Sequence, residues 1–506
     1  RKPESQLWWQ HKTTYRIYVR SFQDSGDDGV GDLKGITQRL GYLKDLGVGA
    51  LSLSPIYKQA SGKDSDFDII DHKAINPEYG TMQDFQELVN MTKKHGMYLL
   101  MDFVPGFTSD EHEWFVMSKN SSDRTNKMRN FYVWEDGNGG PPSNWVSIYN
   151  GSAWKLDDGR GQYYLHQREE SQPDLNLRSY AVNKELTNIM KYWLDLGVDG
   201  FYIRDSGWLL EDYDLRDEPK SNSTISASPN DYDYYDHIYT YARPENNDLF
   251  ARWRHFMDGY GNKTGSYKLL FADVNGDIET NMDYYGMYNR DGVDFPLNKH
   301  FQMIQNGTDI QTIYSRIKSW IDHIPSGRWS NWMEGDENTG RMANRRPKLN
   351  RPMLFLTMLL PGTPFVYYGD ELEMTNSQDS PTNGWSRNQV MRAPMQWNNS
   401  SSAGFCQNCS STWKPINTDA ANNSVMVLSK DPNSMLTLFK NLTSIRNKPS
   451  FKHGDFKLFR LSGSIISFIK EFDGETGYLI AVNVGSSSST IDLSGKHDTL
   501  PETTTV

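Results

Sequence analysis

Gly197-Val198-Asp199-Gly200-Phe201-Tyr202-Ile203-Arg204-Asp205 ends one helix and opens one strand. Upstream, Val182, Leu186, Ile189, Met190, Trp193 and Leu194 recur at the spacing of a single helix face, and Gly197 stops the run. The strand read over Gly200 to Arg204 completes a helix-to-strand unit that recurs along the chain. Tyr15 to Val19 and Ala50 to Ser54 read as strands, with Ile36, Leu40, Leu43 and Leu46 forming a helical stripe between them before Gly47. The pattern returns with Thr81 as an N-cap, Phe85, Leu88 and Val89 on one face, Gly96 as the stop, and the strand Tyr98 to Val104. Lys268 to Val274, Trp329 to Met333 and Thr363 to Tyr368 supply later strands, so an α/β architecture closing into a barrel is expected.

Two stretches break the rhythm. Residues 105–175 are rich in Asn, Asp, Gly, Trp and Tyr and too long for a plain loop, which predicts an inserted subdomain over the barrel mouth. From about residue 448, Phe456 to Leu461, Ile465 to Ile469 and Tyr478 to Val482 alternate like antiparallel strands. The expected organisation is therefore barrel over 1–104, insertion over 105–175, barrel again over 176–447, and a β domain over 448–506 with a disordered tail after Thr499.

A chain of 506 residues with 13% aromatic and 23% charged residues is globular and large enough for two or three domains. A net charge of −11 argues against nucleic acid as a partner, because phosphate binding needs a basic surface. No apolar run of about eighteen residues suggests a membrane span. Asn-x-Ser/Thr occurs at Asn90, Asn120, Asn150, Asn222, Asn262, Asn306, Asn398, Asn399, Asn408, Asn422 and Asn441, an excess that points to N-glycans and to an extracellular or cell-surface location. The only cysteines, Cys406 and Cys409, have no further zinc ligands nearby, which favours a small-loop disulfide.

Trp8-Trp9, Gly31-Asp32-Leu33-Lys34-Gly35, Asn76-Pro77-Glu78-Tyr79-Gly80-Thr81-Met82, Asp102-Phe103-Val104-Pro105, Gln172-Pro173-Asp174-Leu175-Asn176 and Pro364 to Asp370 together resemble the α-amylase superfamily of glycoside hydrolases, and within it the insect-type maltases. The likeness covers nearly the whole chain. It implies a (β/α)8 TIM barrel with an inserted lid after the third strand and a C-terminal antiparallel β domain. It also implies retaining glycoside cleavage by a carboxylate nucleophile and a protonated carboxyl, with a third carboxylate in support.

This sequence departs from the family at those positions. Arg204 stands at the nucleophile, Tyr202 at its supporting Arg, Asp273 at the acid Glu, and Asn338 at the third carboxylate, preceded by Glu337. Phe107 replaces a sugar-binding His and Phe67 a stacking Tyr, while Asp68 and Asp102 are kept. A guanidinium about 4 Å from a developing oxocarbenium would oppose it by ~4 kcal/mol, roughly a thousandfold in rate. Strand alternation turns Asp205 away from the mouth, unless a bulge re-aims it as a substitute nucleophile.

The loop from Asp24 to Asp32 resembles the family's calcium loop. Asp24, Asp28, the carbonyl of Val30 and Asp32 would be the ligands, and Gly26 sits where another is usual. A solvated acidic loop is the alternative. The amino-acid transporter heavy chains resemble this family, and at least one branch of them has lost the catalytic carboxylates. The expectation is thus a catalytically inactive ectodomain of a membrane-anchored protein, partnered with a membrane light-chain transporter. The alternatives are a stand-alone surface receptor or ligand-binding glycoprotein, and a weak glucosidase using Asp205 or Asp273.

Overall fold

The computed structural model describes residues 7–223, 225–379, 386–461, 463–498 and 500. Eight parallel strands form the centre: β1 (Thr13–Ile17), β2 (Val48–Leu53), β3 (Tyr98–Phe103), β4 (Gly200–Ile203), β5 (Leu269–Ala272), β6 (Phe295–Pro296), β7 (Asn331–Met333) and β8 (Thr363–Tyr367). Their order, β6-β5-β4-β3-β2-β1-β8-β7, leaves β6 and β7 as the two ends of the ladder. Asn331 bridges those ends. Its Nδ2 donates to the carbonyl of Pro296 at 2.7 Å, and its Oδ1 accepts from the amide of Asn298 at 2.8 Å.

Period-two alternation sorts the strand side chains between two layers. Ala50, Leu100, Tyr202, Phe271, Phe295, Met333 and Phe365 point inward and pack together, with Trp8 and Trp9 in the same cluster. Leu51, Phe103, Phe201, Ile203 and Leu270 face the helices and join the main core. The helices form where the stripes predict. Tyr180–Asp195 is N-capped by Ser179 and buries Val182, Leu186, Ile189, Met190, Trp193 and Leu194. Met82–Lys94 starts on a full capping box at Thr81. One stripe divides: residues 33–46 form two helices, Leu33–Gln38 and Leu40–Leu46, separated at Arg39 (φ −104°, ψ 7°).

Between β3 and the helix Tyr180–Asp195, the chain forms a helix over Glu113–Asn120 and a three-stranded antiparallel sheet of Trp134–Glu135, Trp154–Asp157 and Gln162–Leu165. At the other end, β9 (Asp455–Arg460), β10 (Ile465–Glu471) and β11 (Tyr478–Asn483) form an antiparallel sheet. Apart from Leu500, the tail expected to be disordered lies outside the described residues.

Candidate functional site: a closed ring of charge at the barrel mouth

Four ionised side chains meet where the strands end. Arg16 comes from β1, Asp102 from β3, Arg204 from the residue after β4, and Glu337 from the loop after β7. Because Tyr202 faces the barrel interior, Arg204, two residues on, faces the same way and rises one layer above it. Arg16 holds Asp102 through Nη1–Oδ1 at 2.5 Å and Nη2–Oδ2 at 2.7 Å, and holds Glu337 through Nε–Oε2 at 3.1 Å and a second contact from Nη2. Arg204 Nη1 donates to Asp102 Oδ2 at 3.0 Å and to Glu337 Oε1 at 2.6 Å. Two guanidinium groups and two carboxylates thus close a ring with no net charge. All four residues are at most 3% exposed.

Aromatic faces clamp the ring. The Arg204 guanidinium carbon lies 5.3 Å from the Phe67 ring and 5.1 Å from the Tyr202 ring, and that of Arg16 lies 5.3 Å from Tyr202. Burial works against ionising Glu337, but Arg16 and Arg204 outweigh it and hold the carboxyl well below its ordinary range. The pairing corrects the electrostatic objection drawn from sequence. Arg204 is not a bare cation facing the mouth, because its charge is cancelled beneath it. What the position lacks is a nucleophile, and the space is occupied by a guanidinium whose Nη1 is shared between Asp102 and Glu337.

The other candidate carboxylates are also engaged. Asp273, just past β5, receives Lys299 Nζ at 3.0 Å, and the same amine lies 3.9 Å from Asp336. Burial alone would raise the Asp273 carboxyl, yet Lys299 and Arg204 more than offset it and leave it below its usual range. Asp205 is in the left-handed region (φ 55°) and pairs with Arg168 at 2.7 Å. Arg168 in turn lies 4.8 Å from the Phe107 ring. The β4 ladder carries no bulge, and the Asp205 carboxylate, one residue beyond Arg204, is engaged by Arg168. Asn338 is exposed and accepts from Arg392 at 3.0 Å, so the carboxylate that reaches the floor from this loop is its neighbour Glu337. Asp68 is buried, with Gln172 Nε2 at 3.4 Å from Oδ2, and burial raises its carboxyl.

Arg16, Arg168 and Lys299 complete this arrangement and were not anticipated. Arg16 carried a signal: a charge between Tyr15 and Ile17 in a fully buried strand requires carboxylate partners. Lys299 carried none, since β6 before it is only two residues long.

In the acidic loop, Asp24 accepts from the amides of Gly26 and Gly29, Asp28 from that of Val30, and Asp32 from Ser25 and Gly35. The donors are oxygen, as a hard cation requires, and burial followed by the Asp28 charge raises Asp24 in a way a divalent ion would relieve. Their placement is loose. Among the described residues, the only side chains grouped closely enough to share an ion are Asp24, Cys406 and Cys409, and the cysteines are joined in a disulfide.

A model of the α-amylase catalytic domain matches residues 16–454. An α-glucosidase of Culex pipiens is 37% identical over 511 residues, covering 99% of this chain and 86% of its own. The amino acid transporter heavy chain SLC3A1 of Mus musculus is likewise 37% identical, over 514 residues, covering 99% of this chain and 74% of its own. Among solved structures, the α-glucosyl transfer enzyme XgtA shares the fold at a TM-score of 0.82 with 28% identity, covering 94% of this chain and 90% of its own. The chain belongs to the α-amylase family, with a (β/α)8 barrel whose mouth is closed by a neutral ring of two arginines and two acids.

Proposed function

We propose that the protein is a catalytically inactive α-glucosidase-like glycoprotein ectodomain at the cell surface, acting as the heavy-chain subunit that chaperones and anchors a multispanning amino-acid transporter. The observation that carries this reading is Arg204, locked between Asp102 and Glu337 where the family's chemistry calls for a free carboxylate. Similarity alone does not choose, because the mosquito α-glucosidase and the mouse heavy chain are equally identical to this chain. The site geometry favours the non-catalytic side. A general acid must hold its proton near neutral pH, and Asp273 is pushed the other way by Lys299. The Asp205 carboxylate is committed to Arg168.

No helix among the described residues is long and apolar enough to cross a membrane. Asn90, Asn120, Asn150, Asn222, Asn262, Asn306, Asn399, Asn408, Asn422 and Asn441 are exposed and Asn398 is half-buried, which supports N-glycans on these positions. Calcium in the loop, held by Asp24, Asp28, the Val30 carbonyl and Asp32, is part of the proposal as a weak structural ligand. Extracellular calcium modules bind at about 10⁻⁴–10⁻³ M. Millimolar calcium is expected to raise the melting temperature and EDTA to reverse the gain; an unchanged melting curve removes the ion.

The purified protein is expected to release no glucose from maltose or sucrose above a protein-free control. Turnover that disappears in Asp273→Ala would overturn the inactive reading. Affinity capture of the full-length protein from detergent-solubilised membranes is expected to recover a multispanning transporter. Recovery of none would leave the stand-alone surface receptor.

A further inference from the structure

The base of the barrel, opposite the mouth, inverts the charge sign of the molecule. The chain carries 64 acidic and 53 basic residues. Yet His11, Lys12, Lys44, His95 and Arg446 converge on one cavity of about 190 Å³ whose lining, among the described residues, contains no acidic residue. They arrive from separate elements. His11 and Lys12 precede β1, Lys44 is on helix Leu40–Leu46, His95 caps helix Met82–Lys94, and Arg446 ends helix Met435–Arg446. Gly49 admits the first lysine: a Cβ there would stand 2.5 Å from Lys12 Cδ.

Arg446 is 8% exposed, which makes its accounting strict. Its Nη1 donates to the carbonyl of Met358 at 2.9 Å and its Nη2 to that of Gly362, while Nε is buried with no hydrogen-bond partner among the described residues. Burial, unrelieved by any carboxylate, pulls the guanidinium down to about 9, and burial together with Lys452 lowers Lys12. Lys12, Lys44 and Arg446, gathered around a lining whose described residues include no acid, repel one another and are relieved by an anion that accepts several charge-assisted hydrogen bonds.

We propose that this cavity is an oxyanion site that takes one tetrahedral dianion, phosphate or sulfate, either free or as the terminal group of an ester. The volume lies below the roughly 300–1,000 Å³ of pockets built for drug-sized ligands, so the occupant is a single small group. Arg446 fixes the inner wall, and Lys12 and Lys44 close from the rim.

Isothermal titration of the intact glycoprotein with sodium phosphate and sodium sulfate, against sodium chloride at matched ionic strength, tests this directly. Saturable heat is expected with the dianions and none with chloride, which separates a site from the general stabilisation given by kosmotropic salts. The double variant Lys12→Gln/Lys44→Gln is expected to weaken binding on the order of tenfold or more. Lys44 is exposed, so Lys44→Gln alone serves if the double variant does not fold. Phenyl phosphate distinguishes the sources: binding as tight as inorganic phosphate assigns an ester terminus, and its rejection assigns the free ion. No saturable heat with either dianion, or equal affinity in the variants, would overturn the proposal.

Discussion

Arg204 loses its meaning if it is considered apart from Arg16. Each guanidinium spans both acids, so removing Arg204 leaves Asp102 and Glu337 sharing one cation in a buried site. Breaking such a pair from one side costs about 3–5 kcal/mol. Arg204→Ala is therefore expected to lower the urea midpoint substantially. Arg204→Asp should lower it further, since three carboxylates would then face one arginine, and should still show no glucosidase activity because Asp273 remains ionised by Lys299. An Arg204→Asp variant as stable as the parent, or one that cleaves maltose, would show that the ring does not hold the mouth.

Asp174, bridged to Phe107, is a carboxyl whose linkage to stability runs against ionisation. Burial first, only partly offset by Gln167, raises its carboxyl to about 8. An unfolded Asp titrates near 3.9, so from about pH 4 to about pH 8 the unfolded chain has shed a proton that the folded chain keeps, and stability falls as pH rises. Asp174→Asn is expected to raise the melting temperature near pH 8 and to change nothing near pH 4. A difference that does not vary with pH would remove Asp174 as its source. Glu337 runs the other way: its depressed carboxyl contributes stability above the ordinary range of a Glu, and that contribution is lost only as strong acid protonates it in the fold.

At the scale of elements, the three helices that end at Gly47, Gly96 and Gly197 were legible because each carries its own instructions, whereas others such as Asn246–Thr264, which has no side-chain cap, were not read. Ser179 and Thr81 cap, the apolar stripes give the period, and Gly197 supplies the left-handed stop (φ 106°). The short strands were legible mostly where an apolar run of several residues was free of proline. β6 spans only Phe295 and Pro296, too few for alternation to register. The same brevity limited the reading of the site. Arg204 was found from its motif, whereas Lys299, which neutralises Asp273, follows β6 in a stretch without pattern.

β6 is also the weak edge of the barrel, since its link to β7 is the amide of Asn331 rather than a ladder. Asn331→Ala leaves the Pro296 carbonyl and the Asn298 amide without this partner, at about 2 kcal/mol or more. Hydrogen exchange is expected to quicken at residues 294–298 before it does elsewhere in the sheet. Unchanged protection there would mean that the seam is held by packing alone.

On the scale of the whole molecule, the C-terminal sheet is continuous with the barrel's core. Ile466 and Phe468 of β10, and Ile480 and Val482 of β11, belong to the same buried cluster as Leu51, Trp193 and Leu356. Helix Met435–Arg446 contributes Met435, Leu436, Phe439 and Leu442 to that cluster, and Thr443 Oγ1 ties it to the carbonyl of Leu46 at 3.0 Å. A shared apolar core couples unfolding, because exposing the sheet uncovers barrel residues that have no other cover. Calorimetry of the intact chain is expected to show one cooperative transition, and a chain ended at Arg446 should bind a dye for exposed apolar surface and melt earlier. Two resolved transitions, or a truncated barrel with the parent's melting temperature, would show that the sheet is an appended domain. The coupling also links the two charged sites: Arg446, at the cationic base, ends the helix that bridges sheet and barrel, so an anion bound there would stabilise the same joint on which the single transition depends.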